Sequence, residues 1–325
     1  LSQELPFDPF PFIDDPHKQT ILSSLLNFLF EPSSERKIVP LPDGDKIALE
    51  ITTPKEWRPT DLTVFCVHGL CGSHKSPYLV RMTKRLEPLG IRTVRYNMRG
   101  CGSGRGLAKH GYHSGRSEDV FECIKALKLD HPNSPIVLIG FSLGGNIVLK
   151  LTGELGTLAH PFLKKTIAVS PPVELYSSVL MLGEPVNAIY ENYFYRLLRA
   201  DVHYRHNKFR DLPRMYLPRG LKLYEFDQLY TAPINGFSSA MDYYNKCSAS
   251  HVVGDIAIPC NILLSEDDPI ISPDSLDKFS LPSNVTIFKT KKGGHMGYLG
   301  TSEGKKGFYW LDNVLIDWIT QVKES

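Results

Sequence analysis

Short runs of consecutive apolar residues recur along the chain, each bounded by Gly, Pro or polar residues. They are Leu62–Val67, Ile91–Tyr96, Ile136–Ile139, Thr166–Val169, Asn261–Leu264 and Val285–Phe288. Runs this short, apolar on both faces, predict strands of a parallel sheet covered by helices on each side. Two alternating segments, Lys37–Leu41 and Lys46–Thr52, precede them, separated by the turn-forming Pro42-Asp43-Gly44. That arrangement predicts a β-hairpin and brings the expected strand number to eight.

Helical spacing lies between several of these runs. Val120, Ile124 and Leu127 recur at three and four residues within Ser117–Leu129, and His131-Pro132-Asn133 ends the pattern. Trp310–Val322 repeats it, and Thr20–Phe30 is a helix-like run inside an aromatic, Pro-rich start. Strands alternating with helices predict an α/β doubly wound architecture. Residues 173–250 break the alternation with Tyr190, Tyr193, Phe194, Tyr195, Tyr204, Phe209 and Tyr216 among Arg196, Arg199, Arg205, Lys208, Arg210, Arg214 and Arg219. The expected division is therefore an extension packing on the core (1–34), a core in two pieces (35–172 and 251–325), and a helical cap over the strand ends (173–250).

Composition narrows the function. The 325 residues are 42% hydrophobic and 22% charged, the balance of a globular protein. A net charge of +2 argues against nucleic acid as a partner, since phosphate binding needs clustered positive charge. Cys66, Cys71, Cys101, Cys123, Cys247 and Cys260 form no C-x-x-C pair, and no Cys/His cluster has zinc spacing. They are expected as reduced thiols in a cytoplasmic protein with no metal or cofactor. Leu1–Phe12 lacks the basic region and apolar core of a signal peptide, and no apolar run reaches the roughly 18 residues of a membrane span. The chain starts on Leu1 rather than Met, which leaves open an anchor further upstream.

The chemistry concentrates in Gly140-Phe141-Ser142-Leu143-Gly144, between the strand Ile136–Ile139 and the helix-like Gly145–Thr152. This is a G-x-S-x-G nucleophile elbow in the context it requires. The serine sits on a strained turn that lifts its hydroxyl above the sheet, and Gly140 and Gly144 are small because side chains there would collide. Val67-His68-Gly69-Leu70 follows another strand. It offers the Leu70 amide as one oxyanion donor, and the residue after the nucleophile, Leu143, offers the second. Gly69–Ser76 imitates a Walker A loop, but His74 stands where a glycine must precede Lys75. Gly100-Cys101-Gly102-Ser103-Gly104 fails the dinucleotide pattern at Arg105.

A serine hydroxyl needs a base, and the base an orienting carboxylate, in the chain order Ser…Asp…His. Glu266-Asp267-Asp268-Pro269 and Gly293-Gly294-His295-Met296-Gly297 each follow a predicted strand. His295 is the expected base. Asp268, directly before the proline, is the expected acid, with Asp267 the second candidate; one of the two is suited to capping a helix. His68 is expected to be structural, and His110 and His113 to serve no metal.

These residues resemble the YheT-like branch of the α/β-hydrolases, which holds eukaryotic abhydrolase-domain lipases and medium-chain ester synthases. The resemblance runs from His17-Lys18-Gln19-Thr20 through His68-Gly69-Leu70, Asn97-Met98-Arg99-Gly100-Cys101-Gly102, and Tyr112-His113-Ser114-Gly115 with Asp119. It continues through Glu225-Phe226-Asp227, Thr231-Ala232-Pro233, Gly236-Phe237 and Asp242-Tyr243-Tyr244 to Gly293-Gly294-His295. It implies an α/β-hydrolase fold: a mostly parallel eight-stranded sheet, helices on both faces and a cap. It also implies catalysis by Ser142, Asp268 and His295 on a small-molecule acyl ester, lipid-like or medium-chain. Three rivals share the fold: an acyltransferase with an alcohol acceptor, a silent binding protein, and a peptidase. The cap arginines suit a membrane surface, giving peripheral membrane contact, but are more simply a solvated face with stems over apolar surface.

Overall fold

A computed structural model describes residues 2–26, 30–213, 215–301 and 307–324, the side chain of Glu324 excepted. Arg214 and the end of the Thr20–Phe30 run at 27–29 lie outside the described residues. One sheet organises the chain. Its strands are β1 (Gln3–Glu4), β2 (Glu35–Pro40), β3 (Lys46–Thr52), β4 (Thr63–Val67), β5 (Arg92–Tyr96), β6 (Ile136–Phe141), β7 (Lys165–Val169), β8 (Cys260–Ser265) and β9 (Val285–Thr290). Their order is β1-β9-β8-β7-β6-β4-β5-β3-β2, antiparallel only where β3 meets β2 and β5. Eight strands were expected from the apolar pattern; β1 adds a ninth, pairing with β9 through two residues that carry no apolar signal.

Burial explains the pattern. Every residue of β4 to β8 is buried, as a sheet covered on both faces demands. Alternate side chains feed two cores. Phe65 and Val67 of β4 and Leu138 of β6 join one core with helices α3 (Ser117–Asp130) and α4 (Leu143–Leu155). Cys66, Val137, Ile139 and Phe141 join the other, with α2 (Pro77–Leu86) and Trp310 to Ile319 of the C-terminal helix. The hairpin turn forms as predicted: Leu41 N donates to Asp45 O and Gly44 takes φ 89°.

The first helix, α1 (Pro16–Leu25), starts before the predicted run. Asp15 accepts the Lys18 amide at 2.9 Å, and Pro16 fits a first-turn position where no N–H is needed. Between β7 and β8 lie α5 (Leu175–Leu182), α6 (Ala188–Lys208), α7 (Leu223–Phe226), a π-turn over Asp227–Thr231, α8 (Ala232–Ile234) and α9 (Ala240–Cys247). The chain closes on α10 (Trp310–Glu324). Among the described residues, no helix is long and apolar enough to cross a membrane, and all six cysteines are free.

Arg99 knits the hairpin turn to α3. Its guanidinium, about 2% exposed, donates to both oxygens of Asp119, to Asp45 Oδ2 and to Asp43. His110 joins this node, its Nδ1 lying 3.0 Å from Asp45 Oδ2. Arg99→Met should destabilise the fold by about 3–5 kcal/mol in urea melts, because it strands the buried Asp119 carboxylate and removes the guanidinium beside Asp45. A loss under about 1 kcal/mol would mean the node is not a structural tie.

Candidate active site

The predicted elbow is formed. Ser142 has φ 50° and ψ −121°, a left-handed-side strain that only dense surroundings maintain. A Cβ on Gly140 would lie 2.2 Å from Gly144 O, and one on Gly144 2.5 Å from both Val67 O and His68 O. Both glycines thus let α4 start against the end of β4. The Ser142 amide donates to Val169 O at 2.8 Å, tying the elbow to β7. Asn146, one turn into α4, is fully buried and satisfied: its amide donates to Ser114 O and Cys247 O and accepts from Ala249 N.

The serine, the imidazole and the carboxylate meet above the sheet. Ser142 Oγ lies 2.9 Å from His295 Nε2, and His295 Nδ1 lies 2.9 Å from Asp268 Oδ2. A carboxylate only accepts, so Nδ1 carries the proton and Nε2 is left to accept from the serine. Asp268 Oδ1 accepts from the amides of Ile270 and Ile271 at 2.9 and 3.0 Å, which fixes the carboxylate plane. Asp267 does something else. Its Oδ1 accepts from Ser265 Oγ at 2.6 Å and from Gly294 N at 2.8 Å, so it steadies the loop that carries the imidazole. The carboxylate in contact with His295 is that of Asp268.

Leu70 and Leu143 both line the cavity beside Ser142, and among the described residues neither amide has a hydrogen-bond partner in the chain. The sequence pattern singles out these two amides as candidate oxyanion donors. The Leu70 loop is held by Tyr78, whose hydroxyl accepts the Gly69 amide, and by Tyr112, whose hydroxyl accepts the Cys71 amide at 3.0 Å.

The other histidines are placed differently. His68 is fully buried; burial pulls its pKa down to about 4, against the opposing pull of the Gly69 carbonyl. Its Nδ1 donates to Gly69 O and its Nε2 accepts from Met98 N, so it clips the loops after β4 and β5 together as a neutral ring. His113 is likewise held neutral by burial, with Arg116, Arg99 and Lys150 adding to the effect, and it packs edge-on against Phe237 and Tyr243.

The cavity holds about 1000 Å³ of empty space, part of it open to solvent. One wall is apolar, with Val179, Leu182, Phe194, Leu198 and Ile270. Another is polar. Arg205 was expected on a solvated face, yet it is 5% exposed, pairs with Asp201 and donates to Tyr230 Oη at 3.3 Å. Its helix turns that face inward, so its stem and head both belong to the cavity. Asp227, in the π-turn, accepts from Tyr244 Oη at 2.7 Å. Burial raises its pKa to about 6, held back by Thr231 and Tyr244. Neither polar wall nor π-turn has a periodic signature in the sequence.

Comparison with known proteins agrees with this architecture. A family described as the alpha/beta hydrolase fold matches residues 63–300. The Escherichia coli protein YheT, an esterase by name, is 31% identical over 100% of this chain and 96% of its own. Human phospholipase ABHD3 is 26% identical over 86% of this chain and 70% of its own. Among solved structures, the Pyrococcus furiosus esterase Pf2001 shares the fold at a TM-score of 0.55 and 17% identity, covering 98% of this chain and 96% of that one. With the sheet order, the elbow and a full-length relative at this identity, the chain belongs to the α/β-hydrolase fold family, in the branch that holds YheT.

Proposed function

We propose that this protein hydrolyses carboxylic acyl esters through an acyl-enzyme on Ser142. The observation that carries the reading is the unbroken contact from Ser142 Oγ to His295 to Asp268, with Ser142 and His295 lining a largely apolar cavity. His295 Nε2 takes the serine proton as Oγ attacks the ester carbonyl. Asp268 holds the imidazole in the Nδ1–H tautomer and stabilises the imidazolium. The carbonyl oxygen becomes an oxyanion facing the Leu70 and Leu143 amides, at the positive end of α4. The imidazolium then gives its proton to the leaving alcohol. Water, deprotonated by the same nitrogen, attacks the acyl-enzyme, and the acid departs as Ser142 regains its proton.

Residues 173–250 act in this reading as a cap that sets specificity, and 1–34 as an extension packed on the core. The substrate class is lipid-like or medium-chain. An apolar wall suits the acyl chain, and a few polar groups suffice to orient the alcohol part. Leu180 of α5 and Ile189 of α6, on helices whose other faces line the cavity, are 50% and 62% exposed, and Val186 between these helices is 67% exposed. They suit peripheral contact with a lipid surface.

A panel of p-nitrophenyl esters of graded acyl length tests the activity. The wild type should turn over at least part of the series, and Ser142→Ala should lose about 1000-fold or more in kcat. Equal slow turnover by both proteins would contradict the assignment. Asp268→Asn should lower kcat by about 1000- to 10,000-fold, as removal of an orienting carboxylate does, whereas Asp267→Asn should cost about 10-fold or less. A larger loss for Asp267→Asn would reverse the two roles.

Asp227 gives a pH test of the polar wall. Its folded pKa, about 6, lies above the ordinary 3.8, so between these values the native state holds the proton more tightly than the unfolded chain. The contribution of Asp227 is therefore most favourable below pH 4 and declines as pH rises through 6. Asp227→Asn removes that decline, so its Tm relative to wild type should rise by several degrees between pH 4 and pH 7. A difference that does not change with pH would show that the carboxyl titrates normally.

A further inference from the structure

His17-Lys18-Gln19-Thr20 has no part in the chemistry above, yet it lies directly behind the base. The loop that carries His295 is conformationally unfavourable by itself. Gly294, Met296 and Tyr298 have φ of 57°, 59° and 48°, and the last two are ordinary L-residues. Left-handed backbone of this kind costs about 1–2 kcal/mol per non-glycine residue and persists only when its surroundings impose it.

Much of that surrounding is α1. The His295 amide donates to Thr20 Oγ1 at 2.9 Å. Thr20 Oγ1 donates in turn to Pro16 O at 2.7 Å, so its one proton is committed and a lone pair faces the His295 amide. Gln19, fully buried, accepts the Leu299 amide at 2.7 Å and donates to Leu299 O and Ile13 O. Contact is too close for any side chain between them. A Cβ on Gly294 would lie 2.4 Å from Pro16 O, and one on Gly297 would lie 2.6 Å from the Gln19 carbonyl carbon. The glycines around His295 thus serve the approach of α1 as well as the turn.

The helix is itself anchored to the insertion. His17 stacks on Tyr190 of α6, with centroids 5.7 Å apart and rings 13° from parallel, and its Nδ1 lies 2.9 Å from Tyr190 Oη. Three residues earlier, Asn187 donates to Pro269 O, next to Asp268. The start of α6 therefore braces the acid loop directly and the base loop through α1.

We propose that Thr20 and Gln19 are positioning residues, which hold the 293–299 loop so that the His295 imidazole stays in register with Ser142. The proposal rests on the reading of His295 as the base. Small displacements of a base cost much in rate, about 100-fold for 1 Å, while substrate contacts elsewhere are untouched.

The test compares Thr20→Val, which is nearly isosteric but cannot bond, with Thr20→Ser, which keeps the hydroxyl. Activity is divided by the number of active sites titrated with a fluorophosphonate, so that misfolded protein does not count. Thr20→Val should lose about 10- to 100-fold in kcat per active site with KM within about twofold, and Thr20→Ser should stay near wild type. Wild-type kcat per site in Thr20→Val, or equal loss in both variants, would overturn the proposal. A readout independent of Thr20 substitution and of catalysis is hydrogen exchange of the His295 and Leu299 amides in the Ser142→Ala protein. Protection is expected at both, and exchange at the rate of an unstructured peptide would overturn the proposal. A wild type that never labels would sink the functional reading alone, since amide protection would still report on the hold of α1 on this loop.

Discussion

One imidazole has to touch two groups at once, and neither is near it in sequence. His295 reaches a hydroxyl 153 residues away and a carboxylate 27 residues away, each at 2.9 Å. No local structure brings such groups together. The sheet does, because β6, β8 and β9 run parallel and release their loops at the same edge. Full burial of β6, β7 and β8 makes that edge a rigid platform. The strained serine can exist there because Gly140 and Gly144 let a helix and a neighbouring strand close around it.

The same arrangement separates like residues into unlike roles. Three histidines come close to the site. His68 and His113 are kept neutral by burial; His68 spends both nitrogens on loop contacts, and His113 Nδ1 accepts the Gly115 amide. His295 alone faces both a carboxylate and the serine. Adjacent Asp267 and Asp268 diverge similarly: one holds the amide of Gly294, the other the His295 imidazole. Around them, Asp201, Arg205 and Asp227 line the same cavity as Val179, Leu182 and Phe194.

Much of this could be read from residue order. Buried strands advertise themselves as apolar runs, so β4 to β8 were legible to within one or two residues at each end. Gly140-Phe141-Ser142-Leu143-Gly144 was legible because strain and crowding demand glycine at fixed offsets. The pairing of β1 was not, since backbone hydrogen bonds at a sheet edge need no particular side chain at Gln3 and Glu4. Asp267 and Asp268 could not be told apart with certainty by position, because the choice depends on which carboxylate the loop turns toward the ring. The inward turn of Arg205 and the hold of Thr20 on His295 are tertiary contacts, 275 residues apart in the second case, and leave no periodic trace.

The proposed hydrolysis requires covalent chemistry at one hydroxyl. Rapid quenching of wild-type protein with an excess of a turned-over p-nitrophenyl ester, followed by peptide mass spectrometry, looks for it directly. An added acyl mass is expected on the peptide containing Ser142, formed in a burst and lost at the rate of turnover. Steady release of nitrophenol with no acyl group on that serine at any time would contradict that chemistry.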